Sequence, residues 1–353
     1  MTWFRWLAVA AMACASTSGL AAPSSEPTIT AEEWQAYRDH FVSAEGRVVD
    51  NGNNNLSHSE GQGYGLLLAV LAQDRPTFEA IWSFTHTELM VRDDGLAAWR
   101  WEEDKSPHVT DTNNASDGDI LIAYALALAG DVWSEPEKTD AARQIVESLG
   151  REVLVEVRGN MLVLPGKDGF SAGQRPDGPV VNPSYWIFEA APVFARLTPE
   201  VPWARVAEDE MKVLALISDN AAGLPADWVS LSSRKPKPAE GFPPEFGYNN
   251  IRIPLYLMRA GANAELLAPY IRMVGEDGLL RVDVTTGENK EHLTEPGYRI
   301  IGAALNCVLT GEPVPSDLLA FSPTSYFAAT LQLLTLDFLR RDAPKCLQGG
   351  TAQ

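Results

Sequence analysis

The chain has 353 residues, 45% of them apolar and 21% charged, a balance that excludes a mostly disordered protein. It carries 28 Lys and Arg against 47 Asp and Glu, a formal net charge of −19. A field of that sign argues against nucleic-acid, anionic-membrane and polyanionic partners, and leaves neutral polymers and small molecules open.

Residues 1–22 read as an export leader. A single charge at Arg5 precedes an apolar run from Trp6 to Ala15, and Gly19-Leu20-Ala21 or Leu20-Ala21-Ala22 offers a cleavage site. The run is short for a membrane span, and no later segment approaches about 18 consecutive apolar residues. Residues 23–353 are therefore expected as one soluble domain, periplasmic or secreted, with no membrane span.

Beyond the leader, apolar spacing near 3.6 predicts helices at 31–44, 59–73, 76–90, 116–130, 136–154, 183–197, 203–218, 249–260, 263–274, 296–310 and 324–341. Gly130, Gly261 and Gly311 follow apolar runs as stops. Strand patterns are confined to Met161–Leu164 and Leu279–Val284, beside Gly-rich turns. The pattern is that of an all-α domain of about twelve paired helices, without the fixed period of a solenoid. Two long loops, 158–181 and 232–247, are candidates for function.

Removing the leader leaves Cys307 and Cys346. Pairing them would contribute roughly 3–4 kcal/mol. A core this large needs no staple, so two unpaired thiols are the expectation, with Cys307 buried on an apolar helix.

The five His residues are scattered without ligand spacing, so no metal and no cofactor are expected. Asp111-Thr-Asn113 starts like a calcium loop and fails at Ala115 and Ser116. GxSxG and GxxxxGK[ST] are absent. Carboxylates and aromatics remain, the equipment of glycoside hydrolysis. In Ser59-Glu60-Gly61-Gln62-Gly63-Tyr64-Gly65, Ser59 fits a helix N-cap with Gln62 closing a capping box. The three glycines cost helix propensity, which points to close approach of a ligand or another helix. Glu60 is then either a functional acid or a first-turn acid facing the helix dipole. In Asn113-Asn114-Ala115-Ser116-Asp117-Gly118-Asp119, Ser116 fits an N-cap and Asp119 a capping partner. Asp117 has no such duty and is the better functional candidate.

SEGQGYG followed by ASDGDILIAYALALAGDVW resembles glycoside hydrolase family 8, most of all the endoglucanases that accompany bacterial cellulose synthase. Trp99-Arg100-Trp101, Asn182-Pro183-Ser184-Tyr185, Asp227-Trp228 and Tyr248-Asn249-Asn250-Ile251-Arg252 agree in order. The resemblance implies an (α/α)6 barrel and metal-free, inverting, endo-acting hydrolysis of β-1,4-glucan. It implies Glu60 as general acid and Asp117 as the carboxylate holding the sugar at the cleavage subsite. Tyr185, Tyr248 and Arg252 fall at active-site positions. Trp99 and Trp101 are expected near the cleft, with core packing an equal alternative for Trp101. It further implies a working association with a cellulose synthase complex; the enzyme itself is expected to be monomeric.

One position departs from the resemblance. Asn249 stands where the family's usual Tyr-Asp-x-x-Arg carries its general base. An amide positions a water but is not a useful base. Glu245, Glu240 and Asp227 are the candidate substitutes. A glucan-binding pseudoenzyme and a hydrolase of xylan or chitosan remain as alternatives.

Overall fold

A chain in which some helices are apolar on one face and others throughout must nest the second kind inside the first. The computed structural model, which describes residues 26–348, follows that rule. The leader read in residues 1–22 lies outside the described residues. The α-helices are α1 (Ala31–Phe41), α2 (Ser59–Leu71), α3 (Arg75–Phe84), α4 (Ser116–Trp133), α5 (Pro136–Glu152), α6 (Ala191–Leu197), α7 (Trp203–Ile217), α8 (Ile253–Arg259), α9 (Ala264–Leu267), α10 (Pro296–Thr310) and α11 (Tyr326–Arg341).

Six of them close a ring. α2 packs on α4, α4 on α6, α8 on α10, α10 on α11, and α11 returns to α2. A 3₁₀ turn at Phe188–Ala190, just ahead of α6, makes the contact to α8. Outside this ring, α3 covers α2, α5 covers α4 and α6, α7 covers α6, α9 bridges α8 and α10, and α1 leans on α11. The result is the (α/α)6 barrel. The sixth outer position holds only a 3₁₀ turn, Ser316–Leu318, against α10, so the described residues contain eleven α-helices rather than twelve.

Burial sorts the helices as their sequences do. Ser116 to Gly130 of α4 is buried without a break, as is Gly61 to Val70 of α2. In α5, burial is confined to Lys138, Ala142, Ile145, Val146, Ser148 and Leu149. The ring's tightest joint is between α2 and α4. A Cβ on Gly63 would lie 2.5 Å from the Leu121 Cβ, and one on Gly118 would lie 2.1 Å from the Ser59 Oγ. Close helix approach is thus what Gly63 and Gly118 serve, and it brings the first turns of α2 and α4 together.

The segment expected as one helix at 76–90 is α3 followed by a π-turn, Thr85–Leu89. The helices expected at 183–197, 249–260 and 263–274 each mix 3₁₀ turns with short α-helix. The two expected strands occur as Asn160–Val163, paired with Leu154–Val157, and Leu279–Asp283, between Glu245–Phe246 and Asn289–Leu293.

The cysteine expectation is corrected. Cys307 of α10 and Cys346 are joined by a disulfide with Cα atoms 5.9 Å apart. Core size does not decide the pairing: the 3₁₀ turn after α11 folds back to place Cys346 against α10. No described helix is long and apolar enough to cross a membrane.

Candidate active site

A cleft of about 650 Å³ opens at one end of the ring. Glu60 at the start of α2, Asp117 at the start of α4, Tyr298 of α10 and Tyr326 of α11 all line it. Inner helices thus converge on it by their N-terminal ends. Those ends carry partial positive charge, which favours carboxylates there.

Arg252, fully buried in the 3₁₀ turn that opens α8, joins the two acids. Its Nη1 donates to the Glu60 Oε2 at 2.6 Å and to the Tyr64 hydroxyl at 3.1 Å. Its Nη2 donates to the Asp117 Oδ2 at 2.9 Å and to the Ser184 Oγ at 3.1 Å. Asp117 is 1% exposed, whereas the Glu60 side chain keeps 19%, so Glu60 is the acid that faces the cleft. Burial, then the neighbouring Glu60 charge, pushes the Asp117 carboxyl up to about 7. Burial also acts on Glu60, but Arg252 and then His58 outweigh it and hold that carboxyl below its usual range. The two acids interact closely enough to act as a pair carrying one proton up to about pH 7.

The helix starts differ from the capping expected for them. His58, not Ser59, caps α2: its Nδ1 accepts the Gly61 N–H at 2.9 Å, and its Nε2 faces the Asp50 Oδ2 at 3.3 Å. Ser59 is buried inside the first turn. Gln62 closes no box; it accepts from the Val48 N–H at 2.7 Å and donates to the Gly46 carbonyl. Ala115 occupies the cap of α4, and Asp119 instead accepts from the Ala97 N–H and the Asn114 amide. Asp117 accepts from the Gly118 N–H at 2.8 Å, so it does carry some local duty besides its ion pair.

Aromatic side chains form the walls. Trp99 lines the cleft, with its Nε1 fixed on the Asp111 Oδ2 at 2.8 Å and the Arg100 guanidinium 4.9 Å from its ring centre. Tyr185 and Tyr248 also line it, Tyr248 being 42% exposed. Trp101 does not join them. It is 8% exposed, stacked on His108 and hydrogen-bonded through its Nε1 to Glu88 of the π-turn, which is the packing alternative.

Asn249 lines the cleft one turn before Arg252. Of the three carboxylates considered as substitute bases, Glu240 is exposed on its loop. Glu245 is held by the Arg281 Nη2 at 2.7 Å. Asp227 lies directly behind Asn249 and accepts from its Nδ2 at 3.3 Å. Sequence reasoning missed His58, Asp50, Glu295, Tyr298 and Phe327, which also line the cleft. A His directly before the Ser-Glu of a helix start was the available signal for the first. The two long loops meet as well: Phe170 and Phe242 both stack on Trp228, at 5.5 and 4.4 Å between ring centres, with Tyr185 against its edge. Among the described residues, no cluster of His, Cys, Asp and Glu is arranged to hold a metal ion.

The family model described as glycosyl hydrolases family 8 matches residues 6–339. A probable endoglucanase of Novacetimonas hansenii is 33% identical over 331 residues, 92% of this chain and 94% of that one. An endoglucanase of Cellulomonas uda is 37% identical over 238 residues, 67% of this chain and 66% of that one. The solved structure of an endo-beta-1,4-glucanase from Acetobacter xylinum superposes with a TM-score of 0.79 at 31% identity, covering 89% of this chain and 98% of that one.

Proposed function

The chain belongs to the glycosyl hydrolases of family 8, and from that premise we propose that it cuts β-1,4-glucan internally by a single inverting displacement. The observation that carries this reading is the Arg252 clamp, which presents one partly accessible and one buried carboxyl to an aromatic-walled cleft. Flat Trp99, Tyr185 and Tyr248 rings suit the apolar faces of sugar units, and the acidic surface suits a neutral polymer. Glu60 gives its proton to the glycosidic oxygen as that bond breaks. A water attacks the anomeric carbon from the opposite face.

The proton begins in the wrong place. In the empty cleft the paired charges favour it on Asp117. A sugar seated over Glu60 removes the last water from that carboxyl and raises its proton affinity. The proton then crosses to Glu60, and ionised Asp117 faces the positive charge that develops on the sugar ring.

We further propose, from residues 1–22 and the family resemblance, that the enzyme is exported and works as a monomer beside a cellulose synthase complex. The test of the activity is reducing-end release from carboxymethyl-cellulose, xylan and chitosan by wild type and Glu60→Gln. Release from carboxymethyl-cellulose by wild type, lowered about 10³-fold or more in Glu60→Gln, supports the reading, since general acids typically contribute 10²–10⁴. Silence on glucan with cleavage of either other polymer overturns the substrate.

A further inference from the structure

Resting on that reading, we propose that Asp227 is the terminal proton acceptor of the reaction, receiving the nucleophilic water's proton through the Asn249 side-chain amide. The amide of Asn249 is a donor at nitrogen and an acceptor at oxygen, and an ionised carboxylate only accepts. The 3.3 Å contact to the Asp227 Oδ2 therefore fixes the nitrogen toward Asp227. The oxygen is turned the other way, on a side chain that lines the cleft beside Tyr248 and one turn from the residue that clamps both acids. A water hydrogen-bonded to that oxygen would have an acceptor beside it and the Asp227 carboxylate one hydrogen bond further on.

Asp227 is built for the role. Its Oδ1 accepts from the Gly247 N–H at 2.9 Å and the Asn250 N–H at 3.2 Å, which anchors one oxygen and leaves Oδ2 for Asn249. A Cβ on Gly247 would lie 2.8 Å from that Oδ2, so only Gly lets the carboxylate sit against the turn. Burial pushes the Asp227 carboxyl up to about 6, against the lowering effect of its N–H donors. The other titratable groups facing it are Tyr185 and Glu245, and Arg281 neutralises Glu245.

The proton count closes. As the water oxygen bonds the anomeric carbon, one water proton goes to the Asn249 oxygen, and one Asn249 nitrogen proton goes to the Asp227 Oδ2. The glycosidic bond breaks with its electron pair on the leaving oxygen, which takes the Glu60 proton. Asn249 is left as the imidic acid, Asp227 neutral and Glu60 ionised. Return of the Asp227 proton through Asn249 to solvent, and reprotonation of Glu60, restore the site. Asp227 touches no substrate and acts only through Asn249.

The experiment compares wild type, Asp227→Asn, Asn249→Asp and the double variant on a soluble cello-oligosaccharide, with pH profiles of kcat. Wild type and Asn249→Asp are expected to be active, the latter with its acid limb moved to lower pH because a cleft-lining carboxylate now takes the proton directly. Asp227→Asn is expected to lose about 10²-fold or more of kcat, in the range of a lost general base. The double variant should recover most of that loss, which a merely structural Asp227 would not allow. Asp227→Asn within threefold of wild type, or a double variant no better than Asp227→Asn, overturns the proposal. Wild type inactive on every glucan instead overturns the hydrolase reading on which it rests.

Discussion

Because Arg252 donates to both Glu60 and Asp117, neither carboxyl changes its charge without the other responding. The proposed reaction needs one proton on the pair, and with Asp117 pushed up to about 7 that proton leaves as pH rises through neutrality. We predict that kcat/KM falls about tenfold per pH unit above that point, read from a pH–rate profile on a soluble glucan. Asp117 stands out in the sequence as a carboxylate at a Gly-rich helix start with no capping duty, whereas spacing leaves Glu60 open between a functional acid and one facing the helix dipole, and only motif likeness singles it out. Their partner was legible only by motif likeness: Arg252 is 192 residues from Glu60, and no local pattern announces a contact at that separation. Trp101 was ambiguous for the opposite reason, since a Trp suits a sugar platform and a core equally well until its neighbours are known.

The helices were legible to within a few residues wherever they were long, because packing reinforced the 3.6 spacing. They blurred at 183–197 and 249–260, where 3₁₀ turns carry Tyr185 and Arg252 toward the cleft. At this scale the glycines of the α2–α4 joint matter most. Gly118→Ala forces a methyl onto the Ser59 Oγ and, at 2.7 Å, the Glu60 backbone nitrogen. We expect it to cost about 1–3 kcal/mol in urea unfolding and to lower kcat, since the displaced residue is Glu60, the proposed acid. His58→Ala removes the side-chain acceptor of the α2 start and should cost about 1 kcal/mol. The Cys307–Cys346 bond spans 39 residues. Cys346→Ser should lower stability by about 3–4 kcal/mol in the chain-entropy model. The bond lies away from the cleft residues, so kcat stays unchanged. Sequence reasoning discounted this bond because core size says nothing about where a chain end folds back.

Across the whole molecule, the barrel gathers the N-terminal ends of its inner helices into one acidic cleft, an arrangement that no stretch of sequence displays alone. The same burial sets the protein's pH response. Asp117, Asp119 and Asp227 have folded values of about 7, 7 and 6 against an ordinary 3.8. Between pH 4 and 7 the folded state therefore binds more protons than the unfolded one, so these groups make stability fall as pH rises through that window. Groups held low, such as Asp94 and Asp283 at about 2, lose their contribution only as pH falls toward 2. We predict a higher Tm at pH 5.5 than at pH 8 by scanning calorimetry, with self-repulsion at a net charge of −19 acting in the same direction. The proposed mechanism has Glu60 driving a one-step inverting cleavage of β-1,4-glucan. Proton NMR of the first products from cellopentaose, recorded before mutarotation, tests it most directly. We predict α-anomeric reducing ends from wild type and far fewer from Glu60→Gln; β-anomers appearing first, or undiminished cleavage by Glu60→Gln, would overturn that mechanism.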